Sequence, residues 1–110
     1  AISGDFDTLR EMALDGSDPE QQARAIEALG IVGGENVNAT LIEIYRSTES
    51  ADVKESALEG LLISGHEEGV VALYKASDNA QEKRKLLEIL TIMGSDLVLD
   101  IIDAALAGDQ

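Results

Sequence analysis

The stretch Ser50-Ala-Asp-Val-Lys-Glu-Ser-Ala-Leu-Glu-Gly-Leu-Leu-Ile-Ser-Gly65 decides the fold, because the chain carries it in three versions. The other two occupy residues 18–33 and 79–94. Laid side by side without a gap, they bring together Ile26, Leu58 and Leu87, then Glu27, Glu59 and Glu88, then Leu29, Leu61 and Leu90, then Ile31, Ile63 and Ile92, and they close on Gly33, Gly65 and Gly94. Within the middle copy, Val53, Ala57, Leu58, Leu61 and Leu62 recur at the spacing of a helix face. One helical segment has been duplicated, which points to a repeat architecture.

Working outward, each copy is preceded by a second helical pattern. Phe6, Leu9, Met12 and Ala13 share one face of a helix that begins near Asp5 and is broken by Asp15-Gly16-Ser17-Asp18. Asp18 suits an N-cap and Pro19 the first helical position, and Ala25, Ile26, Leu29 and Val32 form the buried stripe that runs to Gly33. Val37, Leu41, Ile44 and Tyr45 mark a third helix, with Ser47-Thr48-Glu49-Ser50 as its turn, and Gly65 caps the fourth. Val70, Leu73 and Tyr74 mark a short fifth, and Leu86, Leu87, Leu90 and Met93 a sixth that Asn79 and Glu82 open with a reciprocal cap. A seventh spans about residues 96–107 behind Ser95.

The internal spacing of the units is fixed, since Ala13 to Gly33, Tyr45 to Gly65 and Tyr74 to Gly94 are each 20 residues. The closing glycines, by contrast, lie 32 and then 29 residues apart, and the difference is expected in a loop around residues 34–38. Helical hairpins of constant geometry joined by variable loops are what stacked repeats require, because neighbours bury each other's apolar faces.

Asp18-Pro19-Glu20 opening a second helix, Ala25-Ile26-Glu27-Ala28-Leu29-Gly30 inside it, and Asp52-Val53-Lys54 followed by Ala57-Leu58 resemble the short HEAT-like repeats of bacterial proteins over residues 5–107. The resemblance implies an all-α, right-handed α-solenoid of about seven helices, with units at about residues 5–33, 36–65 and 67–94 and a terminal half unit at 95–107, forming a single domain within a longer chain. Gln21 and Glu82 stand where that family usually has an aliphatic residue, and Gln22 where it has a basic one, which bears on how the first and third of these helices pack. The Trp and Tyr spacing of a 34-residue tetratricopeptide unit is absent.

The composition agrees with packed helices and bounds the partners. With 45% apolar and 27% charged residues, three aromatic positions and no cysteine, the 110-residue chain has the make-up of a soluble α-protein without disulfides or thiolate metal sites. No apolar run approaches the roughly 20 residues of a membrane helix, and the compartment, cytoplasmic or periplasmic, is not encoded in these features. Twenty-two acidic against eight basic residues, a net charge of −14, repel nucleic-acid phosphates and anionic membrane surfaces and favour a basic protein or peptide.

Catalytic and metal motifs are not found. His66-Glu67-Glu68 begins like a zinc-protease sequence, but position 70, where the second His belongs, is Val. Carboxylates are abundant without the accompanying set of nucleophile, base and desolvating wall that chemistry needs, so neither catalysis nor a cofactor is expected.

The functional signal lies on the second helix of each unit. Stepping 100° per residue turns Ile26, Leu29 and Val32 inward and gathers Arg24, Glu27 and Ile31 on the opposite side, with Ser56, Glu59, Ile63 and Lys85, Glu88, Ile92 as the equivalent trios. In HEAT-like stacks the second helices line the concave face, so the resemblance implies a ladder of glutamates beside a ladder of isoleucines. That is an acidic groove for a polypeptide, unless the isoleucines pack between units. Two other roles stay open on the resemblance: an accessory protein of lyase type that holds a substrate protein, and a structural spacer.

The last helix adds a second surface. Leu97, Val98, Leu99, Ile101, Ile102, Ala105 and Leu106 leave only a narrow strip of Asp96, Asp100, Asp103 and Ala107. One neighbour cannot cover so wide an apolar face, and either further repeats or self-association with a second copy is expected there.

Overall fold

A computed structural model describes the backbone of residues 2–108 and the side chains of residues 6–108. Among these residues the chain is all-α, with seven helices: α1 (Ile2–Leu14), α2 (Pro19–Val32), α3 (Glu35–Ser47), α4 (Ala51–Ser64), α5 (Glu67–Ala76), α6 (Ala80–Met93) and α7 (Leu97–Leu106). They fall into two compact units, one ending at His66 and one beginning at Glu67.

The first unit holds the hairpins α1/α2 and α3/α4, and α2 packs most extensively on α4. The three-to-four-residue periodicity of the sequence places Ile26, Leu29, Leu41, Ile44 and Leu61 in a dry interior, each essentially inaccessible. The two second helices approach backbone to backbone because Gly30 faces Gly60. Arg10 on α1 and Glu43 on α3 form an exposed ion pair at 3.1 Å, which adds little to stability.

The second unit is the hairpin α5/α6 with α7 against α6. Val70, Leu73, Leu86 and Leu90 form its core. Ser95 is buried, and its hydroxyl donates to Glu67 Oε2 at 2.7 Å while accepting from the Leu97 N–H at 3.2 Å, so one side chain ties the start of α7 to the start of α5.

Local chemistry accounts for the helix ends. Asp18, Ser50 and Asn79 are N-caps in extended backbone, accepting from the N–H groups of Gln21, Val53 and Glu82. Gly65 and Gly94 adopt the left-handed conformation, and each end is closed by a paired set of bonds: Gly65 N–H to Leu62 O and His66 N–H to Leu61 O, then Gly94 N–H to Thr91 O and Ser95 N–H to Leu90 O. Gly33 differs, with a single bond from its N–H to Leu29 O and Gly34 following at φ 101°.

Three expectations are corrected here. The variable residues between the first and second hairpins do not form a loop: Gly33-Gly34 and Gly65-His66 are equally short connections, and the difference lies in helix length, 13 residues for α3 against 10 for α5. Two successive positive-φ glycines complete the turn at once, and Glu35 is then placed favourably in a first helical turn. Val32 does not complete the buried stripe of α2; it is the terminal helical residue, 64% exposed, and the buried residues of the helix end at Gly30. The cap at Asn79 is also not a simple exchange with Glu82. Glu82 N–H donates to Asn79 Oδ1 at 2.8 Å, but the circuit closes through Ser77, whose Oγ accepts from Asn79 N–H at 3.1 Å and donates to Glu82 Oε1 at 2.6 Å.

Among the residues that depart from the family pattern, Gln22 has a local explanation. Lys54 Nζ lies 4.7 Å from the ring centre of Tyr45, and Lys83 Nζ 5.4 Å from that of Tyr74, a cation over an aromatic face at the same place in two units. In the first hairpin the same two positions are Gln22 and Ala13. With no ring to cover, the buried Gln22 turns its amide to the backbone and donates from Nε2 to Ala13 O at 3.0 Å.

Candidate functional site

In the first unit, Arg24 and Glu27 on α2 and Ser56, Glu59 and Ile63 on α4 line one cavity of about 160 Å³ together with Ala23 and Gly60. The helical phase that buries Ile26 and Leu58 turns these residues outward. Gly60 contributes backbone to the lining, and a Cβ there would meet the terminal methyls of the buried Leu41 at 3.1 Å. The walls carry two carboxylates and one guanidinium, and Ile63, 52% exposed, supplies an apolar rim.

The remaining members of the expected site are distributed as follows. Ile31 is 72% exposed on α2 but is not among the residues lining the cavity. On α6, in the second unit, Lys85 is half-buried and Glu88 is exposed, while Ile92 is 66% exposed. All three isoleucines therefore present their side chains outside the core of their own units.

Ala23 and Gly60 were not anticipated as part of the groove. A glycine inside a helix costs about 1 kcal/mol relative to alanine, so its presence in the middle of α4 is the signal that something approaches closely there. A second cavity, of about 250 Å³, opens at the turn end of the same unit, bounded by Leu14, Gly16 and Pro19 on one side and Ser47, Thr48 and Ser50 on the other. Its occurrence follows from the small side chains of both turns, which no periodicity argument reports.

The turn before α2 holds a displaced titration. Asp15 is fully exposed, yet its carboxyl is held below the usual carboxylate range because the Ser17 N–H donates to Oδ1 at 2.9 Å and the Ser17 hydroxyl adds to this. Among the described residues no three His, Asp or Glu side chains converge as a metal site would require, and no helix is long and apolar enough to cross a membrane.

No curated protein and no solved structure matches the chain. A family model described as HEAT repeats matches residues 6–91, which spans α2 to α5 completely and most of α1 and α6. The matched region contains the repeated hairpins and both walls of the groove, and on this evidence the chain belongs to the HEAT-repeat family, whose members generally serve as non-catalytic scaffolds for protein–protein interaction.

Proposed function

We propose that this chain is a scaffold that grips a basic polypeptide segment, with the groove between α2 and α4 as the contact. The observation that carries the reading is the lining of that groove: Glu27 and Glu59 share it with the backbone of Gly60 and the exposed Ile63. Carboxylates around a small apolar contact orient a cationic side chain while the aliphatic rim excludes water. The net charge of −14 acts in the same direction by drawing a basic ligand inward. Lys85, Glu88 and Ile92 repeat the residue pattern on α6 of the second unit.

The test uses a fluorescent peptide of alternating Lys and Leu, titrated into the full chain at rising salt. Saturable binding that weakens with salt and is lost in Glu27→Gln/Glu59→Gln and in Ile63→Ser, with unchanged thermal melting, is the expected result. Undiminished binding to the double Gln variant would remove the groove from the contact.

A further inference from the structure

The first hairpin departs from the other two at one packed pair. Tyr45 and Tyr74 each carry over the ring the ammonium of a lysine from the next helix, Lys54 and Lys83, whereas the first hairpin has Ala13 and Gln22 at these places. Where an alanine stands for a ring the surroundings close up only in part, and both Ala13 and Gln22 line the cavity of about 250 Å³ at the turn end of the unit. The lining of that cavity runs from Ala13 to Val53, all within the first unit, so no further repeat is needed to complete it. It shares no residue with the groove between α2 and α4.

The lining identifies the chemistry of the occupant. None of its residues is ionisable, in a chain of net charge −14. A cation there would lose hydration without gaining a counter-charge, so a neutral group fits. Leu14, Pro19, Ile44 and Val53 supply apolar contact, and since a cavity of about 150 Å³ holds benzene, this one has room for a substituted ring. Its polar side is Gln22, only 7% exposed. Nε2 donates to Ala13 O at 3.0 Å, which leaves Oε1 as an acceptor to which no described residue donates. Among the described residues no sealed side-chain polar atom lacks a partner, so Oε1 is open to the cavity that Gln22 lines. On the other wall, the hydroxyl oxygens of Thr48 and Ser50 accept from the N–H groups of Ser50 and Val53, which keeps their own O–H donors available. We infer that this cavity binds a neutral phenol ring whose hydroxyl donates to Gln22 Oε1, at the place where the next two hairpins put the rings of Tyr45 and Tyr74. A tyrosine side chain of a partner and a free phenol offer the same chemistry.

The probes are p-cresol, p-methylanisole, which has the same ring without the O–H, and N-acetyl-tyrosinamide, each titrated into the full chain near pH 7, where a phenol is protonated. Proton–nitrogen NMR reads the Gln22 side-chain amide and the backbone amides of Leu14, Thr48 and Val53. The expected result is saturable p-cresol binding that shifts these signals and is at least about tenfold tighter than that of p-methylanisole, because a ligand without a donor leaves the acceptor unpaired. Gln22→Met makes these two ligands bind alike. Ala13→Tyr/Gln22→Lys, which installs the pair of the other hairpins, abolishes p-cresol binding, whereas Glu27→Gln/Glu59→Gln leaves it unchanged and so separates the cavity from the groove. N-acetyl-tyrosinamide moving the same signals assigns the site to a tyrosine side chain; p-cresol binding without it assigns the site to a free phenol. No saturable shift with p-cresol, equal affinity for p-methylanisole, or shifts that persist in Ala13→Tyr/Gln22→Lys would each overturn the proposal, and the first two are read on the parent chain, independently of how the variants fold.

Discussion

A Cβ built on Gly30 would stand 2.8 Å from the Cα of Gly60 and 3.0 Å from its carbonyl oxygen, so α2 and α4 cross with no room for a side chain between them. The relationship is asymmetric. A Cβ on Gly60 meets instead the two terminal methyls of Leu41 at 3.1 Å, and those belong to a side chain that can shift. Gly30→Ala gains about 1 kcal/mol of helix propensity but must push two backbones apart, an overpacking cost of about 1–3 kcal/mol or more. Gly30→Ala therefore lowers stability in urea unfolding, whereas Gly60→Ala stays within about 1 kcal/mol of the parent because Leu41 yields. Equal stability of the two variants would mean that the helices separate without penalty.

The Ser77, Asn79 and Glu82 side chains act as one device at the start of α6. Asn79→Ala removes the acceptor for the Glu82 N–H and costs about 1 kcal/mol. Ser77→Ala removes both the acceptor for Asn79 N–H and the donor to Glu82. Because the two changes break the same circuit, their combined effect falls short of the sum. Chemical denaturation of the two single variants and the double variant checks this, and strict additivity would show that the caps act independently.

Asp15 has a depressed carboxyl pKa, caused first by the Ser17 backbone N–H and then by the Ser17 hydroxyl. A group whose folded pKa lies below its unfolded value contributes its stabilisation in full above the unfolded pKa and loses it as pH falls through the folded one. The turn before α2 is therefore expected to loosen only in acid, below the normal carboxylate range. Carbon-13 titration of the Asp15 carboxyl gives a midpoint below that of an unstructured Asp, and Asp15→Asn abolishes the acid-dependent shift of the Ser17 amide resonance. An unshifted Asp15 midpoint would count against the Ser17 contact in solution.

Much of the architecture could be read before any coordinates, for a physical reason. Helices form where apolar residues return every three to four places between residues that end a helix, and both signals are local. Asp18, Ser50 and Asn79 at the starts and Gly65 and Gly94 at the ends all function as their side chains, or lack of one, dictate. The outward phase of Arg24, Glu27, Glu59 and Ile63 followed from the same periodicity, since whatever turns away from Ile26 and Leu58 is exposed.

The sequence by itself determined the repeated hairpin, most of its caps and the face most residues present, because these depend on neighbours within a few places along the chain. Only the tertiary structure decided that three additional residues lengthen α3 rather than a loop, that Gln22 exchanges a ring for the Ala13 carbonyl, and that Gly30 and Gly60 bring α2 close against α4. Each of these depends on which atoms from distant positions occupy the same space, and close packing makes such encounters decisive while leaving no periodic trace in the chain.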